Sequence, residues 1–232
     1  HKLPQDGRFK IYTKKYKISF RVSIIPTFNG EKIVIRLLNE SAQIMSLGQL
    51  GLQKNSLEMV KRNIHKPYGE VLVTGPTGSG KTTTLYTVLN MLNQPEVNIS
   101  TIEDPIEYHI SRINQSQVNK KIGFTFAKGL RALLRQDPDI IMVGEIRDKE
   151  TAEIATHASM TGHLILSTLH TNDTVSTISR LNNLGIPSFL IANNVNLIIA
   201  QRLVRKVCSN CIQSYELDNE TIKELNSLFD IE

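Results

Sequence analysis

The sequence has no tryptophan and only two cysteines, and aromatic residues make up 6% of its 232 residues. Two cysteines exclude a disulfide framework, so we expect a reducing compartment. No apolar run approaches the roughly 20 residues of a membrane-spanning helix, and no signal-peptide pattern opens the chain. Since no methionine leads the sequence, we expect a fragment of a longer protein.

Positive charge is present in slight excess. Lys and Arg total 27 against 22 for Asp and Glu, which gives a formal net charge of +5. This balance permits nucleic acid or anionic lipid as a partner without requiring either. Apolar residues make up 40% of the chain, an ordinary share for a globular protein. The length suits one large domain or two small ones.

Residues 8–38 predict an antiparallel meander. Three alternating runs, FKIYT, KISFRVSII and KIVIRLL, are separated by KKY and by the turn FNGE. A segment of about 35 residues cannot bury its own core, so we expect it to complete a domain that begins outside the sequence. NESAQIMSLGQLGLQ follows with little periodicity and is predicted to be a linker.

From residue 70 onward, strand-like and helix-like segments alternate. The predicted strands are EVLVT, NISTIED, DIIMVGE and HLILSTL. The predicted helices are SLEMVKRNIHKP, TTTLYTVLNML, TFAKGLRALLRQ, KETAEIATHASM, TVSTISRLNNLG, the long apolar PSFLIANNVNLIIAQRLV and the tail DNETIKELNSLFDIE. This alternation predicts an α/β fold in which helices flank a parallel sheet.

The strongest single motif is GPTGSGKT at residues 75–82, which matches G-x-x-x-x-G-K-[ST]. Its glycines let backbone N–H groups turn toward phosphate oxygens, and the following helix offers its positive end. Lys81 is expected to reach the terminal phosphates, and the Thr82 hydroxyl to bind Mg²⁺. The predicted binding residues for ATP or ADP are Gly75, Pro76, Thr77, Gly78, Ser79, Gly80, Lys81, Thr82 and Thr83.

Glu145 is the second candidate, because it ends the apolar strand DIIMVGE. In a P-loop domain a neighbouring parallel strand ends beside the metal and offers an acid. Glu145 is therefore predicted to contact Mg²⁺, through a water if need be, or to act as a base. A surface ion pair with Arg147 is the alternative reading.

Four further motifs narrow the family. EDPIE at 103–107 groups three acids around a proline, and HLILSTLH at 163–170 places histidines on either side of a strand. QDGR lies near the start, and QRLVRKVCSNC at 201–211 lies near the end. Together with the phosphate loop, these motifs resemble the secretion ATPases of type II secretion and type IV pilus assembly. The resemblance covers essentially the whole chain.

The resemblance implies roles for particular residues. Glu107, in the Asp box, is expected to polarise the attacking water, and Glu145, in an atypical Walker B motif, to lie near Mg²⁺. His163 and His170 of the His box are expected near the nucleotide. Arginines of the meander are expected to approach the phosphates and supply positive charge as the domains close: Arg8, Arg21 and Arg36. An ordinary core or solvated role is the alternative for each histidine and arginine.

Arg131 and Arg135 lie four apart on a predicted helix and share a face. They are expected either to bind phosphate or a neighbouring subunit, or to be solvated. Cys208 and Cys211 form a C-x-x-C pair, whereas a structural zinc site needs four ligands. The pair is at most half of a Zn²⁺ site, with two free thiols as the alternative. On the resemblance, it favours assembly or secretion over pilus retraction.

The resemblance also implies the overall organisation. The expected fold class is α/β, a RecA-like P-loop core with a parallel sheet, preceded by the end of a small PAS-like α+β domain. The expected domains are the end of the PAS-like domain at 1–40, a linker at 41–56, the RecA-like ATPase domain at 57–205 and the start of a cysteine-containing segment at 206–232.

The implied function is an ATP-hydrolysing homohexameric motor that powers assembly of a type IV pilus or a type II secretion pseudopilus. It would be cytoplasmic, peripheral to the bacterial inner membrane, and bound to a platform protein and its cytoplasmic adaptor without direct contact with nucleic acid. The alternatives are a RecA-like nucleic-acid translocase, a secretion ATPase of the DNA-uptake or conjugation type, and a nucleotide-binding scaffold without turnover. We find no aromatic and basic DNA-binding loop, and the presence of Glu107 and Glu145 argues against the scaffold.

Overall fold

The computed structural model describes residues 3–13, 17–39 and 45–229. The predicted turn KKY, residues 41–44 of the predicted linker and the last three residues of the predicted tail helix lie outside these ranges. The chain forms two compact units, His1–Arg202 and Leu203–Glu232. No helix in the described ranges combines the length and the hydropathy of a membrane span.

The first sheet is the predicted antiparallel meander, which the structure confirms. Its strands are β1 (Gln5–Tyr12), β2 (Lys17–Thr27) and β3 (Gly30–Asn39), in the order β1-β2-β3. Residues directly opposite each other on paired strands share a face of the sheet. The register therefore separates a face that carries arginines from a face that carries apolar side chains.

The second sheet has six strands, all parallel, in the order β6-β5-β7-β8-β4-β9. The predicted α/β fold with a parallel sheet is confirmed. The strands are β4 (Gly69–Thr74), β5 (Ile99–Glu103), β6 (Asn114–Gln117), β7 (Ile140–Val143), β8 (Leu164–Leu169) and β9 (Val195–Ala200). The helices are α1 (Lys54–Ile64), α2 (Lys81–Leu92), α3 (Phe126–Leu133), α4 (Lys149–Met160), α5 (Thr174–Asn183), α6 (Ser188–Asn194) and, in the second unit, α7 (Asn219–Phe229).

Alternate side chains of the central strands pack into two apolar layers, one on each face of the sheet. In β4, Val71 and Val73 face the layer formed with α1 and α2, whereas Leu72 faces the layer formed with α3, α4 and α5. Strands β4, β5, β7 and β8 are buried along their whole length. This explains why their sequences are continuous apolar runs rather than alternating ones.

Helix α2 lies deep in the first of these layers. Most of its 12 residues are buried, including Leu85, Tyr86 and Leu89. Leu47, in the described part of the predicted linker, is also buried and packs into this layer.

The prediction of one long helix over residues 187–204 is wrong. The segment forms the short helix α6 and then the edge strand β9, which pairs with β4. An apolar run of this length fits a buried helix or a buried strand equally well by periodicity. Here the segment forms a strand because β4 has an edge that no other strand covers. Pairing with β9 satisfies backbone groups of β4 that would otherwise be buried without partners. Strand β6 was not predicted, because its sequence NQSQ is polar throughout and has no apolar pattern.

Glu70 is a buried carboxyl group in β4, at the strand end opposite the phosphate loop. Only 1% of the residue is exposed. Ser159 Oγ donates to its Oε1 over 3.4 Å. Burial raises the pKa of Glu70, and hydrogen bonds from Thr156 and Ser159 offset only part of this rise.

Because its pKa is higher in the folded chain than in the unfolded chain, Glu70 destabilises the fold as pH rises. At acidic pH the carboxyl is neutral in both states. As pH rises the unfolded chain ionises first, so the free energy of unfolding falls until pH passes the folded pKa. We expect Glu70→Gln to raise the thermal midpoint at pH 8 and to change it little at pH 4. Calorimetry across this range would contradict the assignment if the difference between the two proteins were independent of pH.

Candidate active site

The site lies at one edge of the parallel sheet, where the carboxyl ends of the strands meet. Parallel strands bring the loops that follow them together at this edge. The phosphate loop follows β4, the Asp box loop follows β5, Glu145 follows β7 and His170 follows β8. Residues far apart in sequence thus converge on one surface.

The phosphate loop has a backbone that its glycines make possible. Gly75 has φ +144°, and a Cβ there would lie 2.4 Å from the carbonyl oxygen of Gln201 and 2.6 Å from Ser79 Oγ. Gly80 has φ +88° and immediately precedes α2, whose first turn has no side-chain cap. Among the described residues, the buried Ser79 Oγ has no hydrogen-bond partner. Uncapped amides and an unsatisfied hydroxyl fit a phosphate group at this position.

Lys81 is folded back on the loop. Its Nζ donates to the carbonyl oxygens of Gly75 at 2.8 Å and Pro76 at 3.0 Å. Burial lowers the pKa of Lys81; the charge of Glu145 raises it, and that of Arg202 lowers it. The ammonium group therefore lies in the field of the acid that the sequence pointed to.

Glu145 is 8% exposed and bonds to two neighbours. Arg147 Nε lies 2.5 Å from its Oε2, and His170 Nε2 lies 3.1 Å from the same oxygen. The hydrogen bond to Glu145 raises the pKa of Arg147. The ion pair considered as an alternative does form, but its acid is buried beside the phosphate loop and not on a solvated face.

The two histidines of the His box lie at opposite ends of β8. His170 follows the strand and contacts Glu145, whereas His163 precedes it, with Nδ1 3.0 Å from the carbonyl oxygen of Ala158. The six residues of β8 span about 20 Å. Within one chain, the structure brings His170 but not His163 to the edge that carries the phosphate loop.

Glu107 lies in the loop that follows β5 and is half-buried. Its backbone N–H donates to the Tyr86 hydroxyl over 3.3 Å. Glu107 and Arg8 both line a cavity of about 560 Å³ between the meander and this loop. Arg8 also crosses to the α/β core, where its Nη1 donates to Gln117 Oε1 over 3.4 Å.

The three meander arginines form one row. Arg8 lies directly opposite Arg21, and Arg21 directly opposite Arg36. Like charges opposite each other on neighbouring strands repel. Within the described ranges, the side chains of Arg21 and Arg36 have no hydrogen bond or ion pair. A bound polyanion would remove the repulsion along this row.

Other predicted residues lie elsewhere. Arg131 forms an ion pair with Glu150 of α4, and Arg135 Nη1 donates to the carbonyl oxygen of Arg131. In the second unit, Cys208 and Cys211 are both free and exposed. Hydrogen bonds from Asn210 and Cys211 lower the pKa of the Cys208 thiol. No group of three or more potential metal ligands occurs among residues 3–13, 17–39 and 45–229.

Sequence reasoning gave no role to two residues that follow β9. The Gln201 N–H donates to the carbonyl oxygen of Thr74, and Gln201 Oε1 accepts from Thr84 Oγ1 over 2.8 Å. Arg202 Nη2 donates to the carbonyl oxygen of Asn172 over 2.6 Å. These contacts join the end of β4, helix α2 and the loop that follows β8. Two polar residues directly after an apolar run could have indicated Gln201 and Arg202, but that run was predicted to be part of a helix.

Comparison with known proteins assigns the family. The family described as "Type II/IV secretion system protein" matches residues 1–229. The chain is 54% identical over 220 residues to the type IV pilus assembly ATPase PilB of Pseudomonas aeruginosa, covering 94% of this chain and 39% of the relative. It is 51% identical over 229 residues to the type II secretion system ATPase E of Vibrio cholerae, covering 99% and 45%. The chain thus spans less than half the length of these curated relatives.

Solved structures agree with the fold. The pilus retraction motor PilT, solved with bound ADP, matches with a TM-score of 0.75 and 37% identity, covering 89% of this chain and 60% of that one. The ATPase DotB of Legionella pneumophila matches with a TM-score of 0.67 and 28% identity, covering 83% and 54%. The fold is that of the RecA-like secretion ATPases. On this evidence the chain belongs to the Type II/IV secretion system protein family.

Proposed function

We propose that this chain is the nucleotide-hydrolysing part of a motor that powers assembly of a type IV pilus or a type II secretion pseudopilus. The observation that carries the proposal is the convergence of Lys81, Glu145 and His170 at the edge of the sheet where the phosphate loop lies. The names of the relatives, a pilus assembly ATPase and a secretion ATPase, support the same activity.

In the proposed reaction the phosphate loop binds the nucleotide. The α2 amides and Ser79 Oγ donate to the phosphates, and Lys81 exchanges its two carbonyl acceptors for phosphate oxygens. Thr82 and Glu145 would hold Mg²⁺, which neutralises charge that develops on the phosphates. His170 and Arg147 both contact Oε2 of Glu145 and so hold the carboxylate in place.

The surroundings of the two acids support different roles for them. Glu145 is buried and already engaged with two cationic or polar groups, which suits a fixed carboxylate beside a metal. Glu107 is half-buried and lines a cavity large enough for solvent. We assign Glu107 to orient the attacking water and accept its proton, and Glu145 to the metal.

The arginine row supplies the remaining positive charge in this proposal. Arg8, Arg21 and Arg36 would approach the nucleotide phosphates in a closed arrangement, where the anion offsets their mutual repulsion. His163 lies away from this edge in its own chain, so its proposed place is beside the nucleotide of a neighbouring subunit. This assignment requires a neighbouring subunit, which the proposed homohexamer would supply.

The domain division is part of the same proposal: 1–40 as the end of a PAS-like domain, 41–56 as linker, 57–205 as the RecA-like ATPase domain and 206–232 as the start of a cysteine-containing segment. The apolar face of the meander supports the first assignment, because side chains there are about half exposed and need cover: Phe9, Ile11, Ile33, Ile35 and Leu37. The proposed setting is the cytoplasmic face of the inner membrane, with a platform protein and its adaptor as partners.

Lys81→Ala and Glu145→Ala test the separation of binding from hydrolysis in the full-length protein. Lys81→Ala removes a phosphate-binding cation, so the affinity for ATP should fall by about 10- to 100-fold. Glu145→Ala should leave affinity near that of the wild type and lower kcat by about 10²- to 10³-fold. Titration with a fluorescent ATP analogue and phosphate release measure the two quantities. Equal loss of affinity in both variants would refute the division.

Glu107→Gln tests the assignment of the water-activating group. The amide keeps the size of the side chain but cannot accept a proton, so kcat should fall by about 10²- to 10⁴-fold while the affinity for ATP is kept. Steady-state phosphate release would measure the change, with Glu31→Gln, an exposed acid near the start of β3, as the matched control. Turnover at the wild-type rate in Glu107→Gln would overturn the assignment. Stimulation of the wild type by DNA would instead favour a nucleic-acid translocase.

A further inference from the structure

Glu103 is the first acid of the Asp box, and its carboxylate is already engaged in hydrogen bonds within the chain. It is 3% exposed at the end of β5, and both oxygens of its carboxylate accept hydrogen bonds. Oε2 accepts from the Tyr86 hydroxyl, and Oε1 accepts from Thr101 Oγ1 at 2.5 Å and from Gln115 Nε2 at 3.2 Å. Burial raises the pKa of Glu103 above its usual value, and the hydrogen bonds from these three uncharged donors offset only part of the rise.

Two of these donors also hold the backbone of the Asp box loop. The Tyr86 hydroxyl accepts from the N–H of Glu107. Gln115 Nε2 donates to the carbonyl oxygen of Tyr108 over 3.2 Å, and Gln115 Oε1 accepts from the N–H of Ile110 over 2.9 Å. Glu103 is thus the centre of a set of hydrogen bonds that reaches the loop on both sides of the Glu107 side chain.

Tyr86 connects this set to the phosphate loop. It lies in α2, the helix that begins at Lys81, and its side chain is fully buried. Its ring packs edge-on against Tyr108, with centroids 4.5 Å apart and planes at 82°. The backbone of Tyr86 therefore lies five residues, about 7.5 Å of rise, along α2 from the backbone of Lys81.

We propose that Tyr86, Glu103 and Gln115, the Glu103 network, fix the backbone of Glu107 relative to the phosphate-binding helix. The three are positioning residues, because they touch the loop and not the reacting atoms. The inference rests on the proposed function of Glu107 in hydrolysis. It adds that the Glu103 carboxylate orients a loop and is not a metal ligand, although it belongs to the same acidic motif.

Tyr86→Phe in the full-length protein is the sharpest probe, because it removes one hydroxyl and keeps the ring. A displaced Glu107 should lower kcat by about 10- to 100-fold, with KM for ATP within about twofold since the phosphate loop is untouched. Tyr108→Phe is the matched control. It removes the hydroxyl of the ring that packs against Tyr86. In the described part of the chain, that hydroxyl makes no hydrogen bond to Glu103 or Glu107. Gln115→Met, which keeps the length of the side chain and removes both of its loop contacts, should resemble Tyr86→Phe.

A double-mutant comparison separates positioning from mere support of the fold. If Tyr86 acts through Glu107, Tyr86→Phe should cause no further loss of turnover in a Glu107→Gln background. Hydrogen exchange of the 104–110 segment should also quicken in Tyr86→Phe, which reports the released loop directly. Equal fold losses of kcat in the wild-type and Glu107→Gln backgrounds would overturn the network, as would a Tyr86→Phe protein with wild-type kcat.

The same measurements distinguish failure of this inference from failure of the proposed function. A Glu107→Gln protein with wild-type turnover would overturn the role of Glu107 and the network with it. A Glu107→Gln protein that has lost turnover, combined with an independent effect of Tyr86→Phe, would overturn the network alone.

Discussion

Strand β4 is hydrogen-bonded along both edges, to β8 over Gly69–Thr74 and to β9 from Glu70 onward. This double pairing fixes the point at which the chain leaves the sheet and enters the phosphate loop. It also brings Gln201, which continues β9, so close to Gly75 that only glycine fits there. The geometry of the loop, the direction of α2 and the position of Lys81 all follow from this arrangement.

The electrostatics of the site follow in turn. Glu145 is the centre of these interactions: Arg147 and His170 both contact it, and its charge acts on Lys81. A buried carboxylate without partners is costly, and Glu145 has two partners here, Arg147 and His170. The two readings of Glu145 at the level of sequence are therefore compatible, since the ion pair supports the acid that the proposal assigns to the metal.

The sequence predicted most of the fold, because the central strands and flanking helices have strong periodic or apolar patterns. It failed at both edges of the parallel sheet. Strand β6 is polar because little of it is buried, so it has no apolar pattern. Strand β9 is apolar, but its sequence fits a helix as well as a strand, and only pairing with β4 selects the strand. Local motifs likewise predicted Lys81 and Glu145 as site residues, because the residues that surround each of them in sequence form a recognisable pattern. Tyr86 and Gln201 escaped notice because each acts through partners more than 15 residues away along the chain.

Helix α2 has a mechanical consequence. Its side chains are packed on nearly all sides, and hydrogen bonds link it to the Asp box loop and to the segment after β9. A helix enclosed in this way cannot slide or rotate by itself without opening cavities in a close-packed interior. In the proposed motor, a force generated at the nucleotide would therefore pass through α2 into the whole α/β body as one rigid piece, and displacement would be left to the segments attached at its margins.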